Sequence, residues 1–160
     1  MGDGPQLPVR GAAGPPAVVR LEGSTTDIEF VGNRLFRLEN GFAFGLLGSN
    51  TTRPQVTQNT IYDVTAGLHF EVAGGETGKY AVGVTKNYFA RTENLARRTD
   101  GGGPIPGVTS AENAHDKHSK DGNAPLTATR LDSPELPPPN PDDDATFLRF
   151  PADGPKVGAQ

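Results

Sequence analysis

The segment ENAHDKHSKDGN (112–123) holds the side chains best suited to chemistry. His115 and His118 lie three residues apart, with Asp116 and Asp121 beside them. On a helix, side chains three apart share a face, and two imidazoles so placed can clasp zinc. The segment has neither a helical apolar pattern nor a third strong ligand, and the plain reading is a solvated polar loop. Asp116 with the DGN at 121–123 does not form a calcium loop, because the alternating acidic ligands and the terminal Glu are missing. Asp142, Asp143 and Asp144 read as a solvated acidic run, or as a match for an Arg-rich groove on a partner. TDGGGP (99–104) lacks the strand–loop–helix setting and the Lys-Ser/Thr of a phosphate cradle. Gly101 to Gly103 fit better as a hinge. Ser49, Ser110 and Ser133 have no His and acid at triad spacing. His69 precedes Phe70 and is expected on the opposite face of the same strand, outward and polar, with a core histidine or a trimer-axis contact as the alternatives. Asn50-Thr51-Thr52 matches a glycosylation sequon without a secretion signal to support it. No enzyme activity and no cofactor are expected, and no metal beyond the candidates His115 and His118.

Composition narrows the remaining classes. The chain has 160 residues, no cysteine and a formal net charge of −4. Thiolate metal sites and disulfide scaffolds are excluded, and no basic footprint points to nucleic acid. No apolar run approaches the ~20 residues that span a bilayer. The first residues, MGDGPQLPVRGAAGPPA, lack the apolar stretch of a signal peptide.

Glycine and proline divide the chain into three parts. Residues 1–17 hold 8 Gly or Pro, residues 18–99 hold a single proline, Pro54, and residues 100–160 hold 10 prolines. Proline removes a ladder donor and is excluded from central strands, so 18–99 is the expected β body. Residues 1–17 and 100–160 are expected to be extended arms, the second Pro-rich and acidic. Nine of the eleven Phe and Tyr fall in the body. SPELPPPNPDDD (133–144) reads as a stiff polyproline-type spacer. FLRFP (147–151) is an apolar island, and Phe147, Leu148 and Phe150 are candidates to dock on a neighbouring subunit or back on the body.

Inside the body a ring followed two residues on by an aliphatic residue recurs. Phe30, Phe36 and Phe44 accompany the early units, and Tyr62, Phe70, Tyr80 and Tyr88 the later ones. The step is about eight, with a ten-residue step from 70 to 80 and an interruption at SNTTRPQVTQNT (49–60). Each unit reads as a short alternating strand followed by a glycine turn. The expectation is all-β, with short strands at eight-residue spacing. Two arrangements fit: an antiparallel sandwich or meander, or a trimeric β-helical prism with one rung per octad. RTENLARRT (91–99) is the best candidate for a short turn of helix. Tyr80, Tyr88 and Phe89 could form a stacking platform, or more simply pack in the core.

VTAG (64–67) and VAGG (72–75) carry a resemblance. The pattern resembles the octad repeats of trimeric spike and needle proteins of phage tails and baseplates, over about 61–99 and more faintly 28–48. VGVT (82–85) and ARTE (90–93) depart from it. The resemblance implies a non-catalytic homo-oligomer, a trimer by preference, placed in a virion after synthesis in the host cytoplasm. It also implies a place for a histidine-bound metal near the tip, where His115 and His118 would serve. The function expected is a structural subunit, a spike or fibre component or a capsid decoration protein, whose partners are other protein subunits. The alternative is a soluble β-sandwich module that binds a peptide or glycan.

Overall fold

A computed structural model describes residues 17–23, 28–47, 54–71, 82–137, 139–143, 146–151 and 153–160. The described residues contain thirteen strands and no helix. They are β1 (Ala17–Gly23), β2 (Glu29–Val31), β3 (Arg34–Phe36), β4 (Asn40–Leu47), β5 (Gln55–Thr57), β6 (Thr60–Tyr62), β7 (Ala66–Phe70), β8 (Gly83–Thr85), β9 (Tyr88–Ala90), β10 (Asn94–Arg98), β11 (Thr109–Ala111), β12 (Asn113–His115) and β13 (Ala128–Arg130). The all-β character expected from the octads is the character of the described residues.

The strands form three sheets, and every strand pair is parallel. The first sheet has the order β1-β4-β7-β10, the second β2-β5-β8-β11 and the third β3-β6-β9-β12-β13. In chain order the backbone visits the second sheet, the third and the first, then repeats one strand further along each. The result is a parallel β-helix, built by one chain winding through successive coils. β2, β3 and β4 make the first coil, β5, β6 and β7 the second, β8, β9 and β10 the third. β11 and β12 begin a fourth, whose remaining side is Lys120 to Ala124, bonded along β10 without being a strand.

This arrangement corrects the antiparallel alternative and also the size of the repeating unit. An octad is one side of a coil, and three sides close it. The interruption at 49–60 contains β5, a regular wall of the second coil. RTENLARRT contains β10 and no helix, because Leu95 and Ala96 are both buried and β10 lies in register on β7. Neighbours along the stack override local propensity there.

The core is made of rows that run from coil to coil. Phe30, Val56 and Val84 form one row, Leu35, Ile61 and Phe89 a second, and Phe42, Leu68 and Ala96 a third. Phe44 stacks on Phe70 with centroids 5.2 Å apart. Of the rings singled out in the sequence, Phe44, Phe70 and Tyr88 are buried by this single chain, and Phe30, Phe36 and Tyr62 are half-buried. Tyr80 lies outside the described residues, as does the Asn50 sequon. Tyr88 and Phe89 are both buried, so neither offers a surface platform.

The corner between the second and third sheets explains why the coils stay in register. Asn33, Asn59, Asn87 and Asn113 occupy it at intervals of 26, 28 and 26 residues. Asn87 Nδ2 donates to Val56 O at 2.8 Å and to Asn113 Oδ1 at 3.0 Å. Asn87 Oδ1 accepts from the N–H and the Nδ2 of Asn59. The residue before each asparagine, Gly32, Gln58, Lys86 or Glu112, has positive φ. That left-handed step turns the chain, and the asparagine amide satisfies the backbone groups that the turn takes out of the ladder.

The stack does not stop at residue 99. β11, β12 and β13 extend the second and third sheets, so residues 100–160 are not an arm throughout. Gly101, Gly102 and Gly103 take positive φ in the loop that leads to β11. Arg98 secures this loop through Gly103 O and Pro104 O and through an ion pair with Asp100. The later tail turns back onto the outer face of the third sheet. Phe147 meets Phe36 edge-on at 5.5 Å, Phe150 meets Tyr88 at 4.6 Å, and Leu148 is 0% exposed. The island docks on its own body in this structure. Residues 1–16 lie outside the described residues.

Candidate functional site

The tail does not cover the third sheet completely. A cleft of about 260 Å³ remains between the sheet and the strap at 135–139. Tyr62, Tyr88 and Ala90 come from β6 and β9, Arg91 from the next corner, Asp116 and His118 from the turn after β12, and Glu135, Leu136 and Pro139 from the strap. Arg91 has positive φ, as do Arg37 and Asp63 at the equivalent corner of earlier coils. The corner thus repeats a backbone conformation while its side chains vary.

Asp116 is the most heavily bonded group in the cleft. Its carboxylate accepts from the N–H of Arg91, the N–H of His118, and the N–H and Oγ of Ser119 at 2.9 and 2.7 Å. Four of these contacts converge on Oδ1 and fix the turn, while Oδ2 meets only the shared Arg91 N–H, at 3.2 Å. Tyr88 is a buried phenol whose pKa is pushed far up, first by burial and then by the negative charges of Asp116 and Glu135. It stays neutral and protonated. Glu135 pairs with Lys117 at 3.0 Å on the exposed rim, and that hydrogen bond holds its pKa below the usual carboxylate value.

The structure separates the two histidines. His118 lines the cleft, whereas the His115 ring is engaged with the Asp116 backbone carbonyl through Nδ1 at 2.7 Å. Among the described residues no three His, Asp or Glu side chains converge as a metal site. Asp142 and Asp143 are exposed in a turn, with the Asp143 carbonyl accepting from Phe147 N–H, and Asp144 is outside the described residues. Ser110 accepts from Thr127 N–H, and Ser133 is exposed. Ser49 is outside the described residues.

Comparison with protein-family models, with curated proteins and with solved structures finds no match to this chain. The site therefore rests on its own geometry: an aromatic and aliphatic floor, a carboxylate bonded chiefly through one oxygen and a charged rim. That set can hold a ligand by contact and charge. No described helix is long and apolar enough to cross a membrane.

His69 is the other polar side chain that matters, and it is not an exposed outward residue. It is 4% exposed in the row Arg20–Ala43–His69–Arg97 of the first sheet. Arg97 Nε donates to its Nδ1 at 3.2 Å, which puts the ring proton on Nε2, and Nε2 is buried without a partner. Burial and the Arg97 charge lower its pKa. Alternation placed His69 opposite Phe70 but could not reveal that neighbouring coils would cover it. The asparagine corner was also missed. Its signal is plain in retrospect, as VGN, TQN, TKN and AEN, each followed by a strand.

Proposed function

We propose that this chain is a non-enzymatic structural subunit of a large protein assembly. The observation that carries the reading is the stack of parallel strands in three sheets, braced at one corner by the asparagine row. Such a stack gives a stiff body whose cohesion comes from neighbouring coils. Asp116 Oδ1 holds the turn after β12, and His69 Nδ1 accepts from Arg97 within its row. A virion is the assembly to which the octad resemblance leads, with a spike or fibre component and a capsid decoration protein as the two roles, a trimer as the favoured form and other protein subunits as the partners.

Gradient sedimentation of material from the natural source tests this, with the chain followed by antibody. Co-sedimentation with particles far larger than the 16.8 kDa chain is expected. Recovery wholly at the position of the free chain overturns the reading. A second reading is favoured by the cleft over Tyr62 and Tyr88. There the chain is a soluble module that binds a peptide or glycan, and saturable binding lost in Tyr62→Ala, by a chain that enters no particle, selects it.

A further inference from the structure

The outer face of the third sheet recognises residues 146–160 in detail. Arg34 Nη1 donates to Phe147 O at 3.0 Å, and its guanidinium lies 5.6 Å from the centroid of that ring. Gly158 N–H donates to Lys86 O at 2.8 Å, and Ala159 N–H to Thr60 Oγ1 at 2.8 Å. Gly158 has φ +76°, and a Cβ there would fall 2.4 Å from Thr60 Oγ1 and 3.0 Å from Tyr88 Cβ. Backbone bonds, two ring pockets and a position that admits only glycine make this a built recognition site.

The tether before this segment is more exposed, with Leu136, Pro137 and Pro139 half-buried between two exposed stretches. Asp132 to Glu135 and Asn140 to Asp143 are exposed, and the ion pair Lys117–Glu135 lies on the rim. The 14 residues 132–145 can extend to about 46 Å at ~3.3 Å per residue. Four coils at ~4.8 Å rise about 19 Å. The tether therefore reaches past its own body.

We infer that residues 146–160 of one copy occupy the same face on a second copy, so that the tail is exchanged between subunits. The contacts are identical in either case, and the choice is set by concentration. A tether of this length gives an effective concentration on the order of 1 mM. Dilute copies hold their own tails, and copies packed at comparable local density exchange them. The inference rests on the structural-subunit reading for that setting, because an assembly supplies such density.

The chain has no cysteine, so single sites can be labelled cleanly. One full-length preparation carries a donor dye at Lys86→Cys, another an acceptor at Gln160→Cys. They are mixed at ~1 mM, partly unfolded, refolded and measured at that concentration. Dimers by light scattering that show energy transfer between chains are expected. Introducing Gly158→Val into the acceptor chain is expected to abolish transfer while the strand signal in circular dichroism is kept. Monomers throughout, dimers without transfer, or transfer that survives Gly158→Val overturn the inference. Exchange by a chain that never enters particles would sink only the structural-subunit reading, and particle entry without exchange would sink only this inference.

Discussion

The Asn87 side chain makes four hydrogen bonds, all to groups of neighbouring coils. Asn87→Ala leaves the Asn59 N–H and the Val56 carbonyl without these partners in the interior. At ~1–3 kcal/mol for each unsatisfied buried group, the loss expected is about 2–6 kcal/mol. Asn33 stands at the exposed end of the row and only donates to Asn59 Oδ1, once through its backbone, which alanine retains. Asn33→Ala should cost less than ~1 kcal/mol. Denaturant unfolding of both variants measures the contrast, and equal losses would remove the asparagine row as the brace. His69 gives a pH test. Its folded pKa lies below 6.5 because of burial, Arg97 and Arg20, against the opposing charges of Glu71 and Glu39. The unfolded chain takes up the proton first, so the contribution of neutral His69 is fully present above pH 6.5 and is lost as pH falls toward the folded value. Glu71, held low by Arg20, acts in a separate window, its contribution being lost only as pH falls below its ordinary 4.5. Stability should decline on acidification below pH 6.5 in the parent and stay flatter in His69→Leu. A parallel decline in both would assign the effect elsewhere.

Close packing between coils places its own demand on the elements. Gly67 of β7 faces the Phe89 ring, and a Cβ would lie 2.6 Å from it and 2.9 Å from Leu95 O. Gly41 of β4 is as tight, with Gly67 O at 2.6 Å from its Cβ position. Gly67→Ala must push the Phe89 row aside and is expected to cost about 1–3 kcal/mol. A melting temperature unchanged in Gly67→Ala would mean that the coils do not approach as closely as this geometry requires. The same closeness explains what the sequence could reveal. Each coil side is a short strand followed by a corner, so rings at 28–44 and 61–90 step by about eight, and the all-β class was legible. Coil closure was not, because the third corner takes loops of unequal length, and the 26- to 28-residue period shows only at Asn33, Asn59, Asn87 and Asn113. Phe147, Leu148 and Phe150 were legible as a docking island from their apolar character against an acidic, proline-rich background. The identity of the surface they meet depends on Phe36 and Tyr88, which are distant in sequence, and local pattern carries no such information. The cleft was half visible: His118 and Asp116 stood out, whereas Tyr62, Arg91 and Glu135 join them only through the winding of the chain.

On the scale of the whole molecule, the winding makes the body nearly one-dimensional, since each coil touches chiefly the coils before and after it. Removing residues 59–86 joins Gln58 to Asn87 and takes out one full turn of the helix. The corner sequence then reads Thr57-Gln58-Asn87, with the left-handed residue still before an asparagine. Asn33 can pair with Asn87, Leu35 with Phe89, and Phe42 with Ala96, because each row repeats at the same level of the coil. The shortened chain is therefore expected to fold with strand-type circular dichroism, lower stability and a smaller denaturant slope, the slope tracking the surface that unfolding exposes. Its tail should behave differently from its body. Thr60, whose Oγ1 holds Ala159, leaves with the deleted coil, as does Tyr62 beneath the strap, whereas Gln58 brings a carbonyl to the place of Lys86. Hydrogen exchange should then find the amide of 159 unprotected while those of β9 and β10 stay slow. A shortened chain that fails to fold would mean that the body coheres as a single closed unit, and a tail that stays protected would mean that its docking does not depend on the second and third coils.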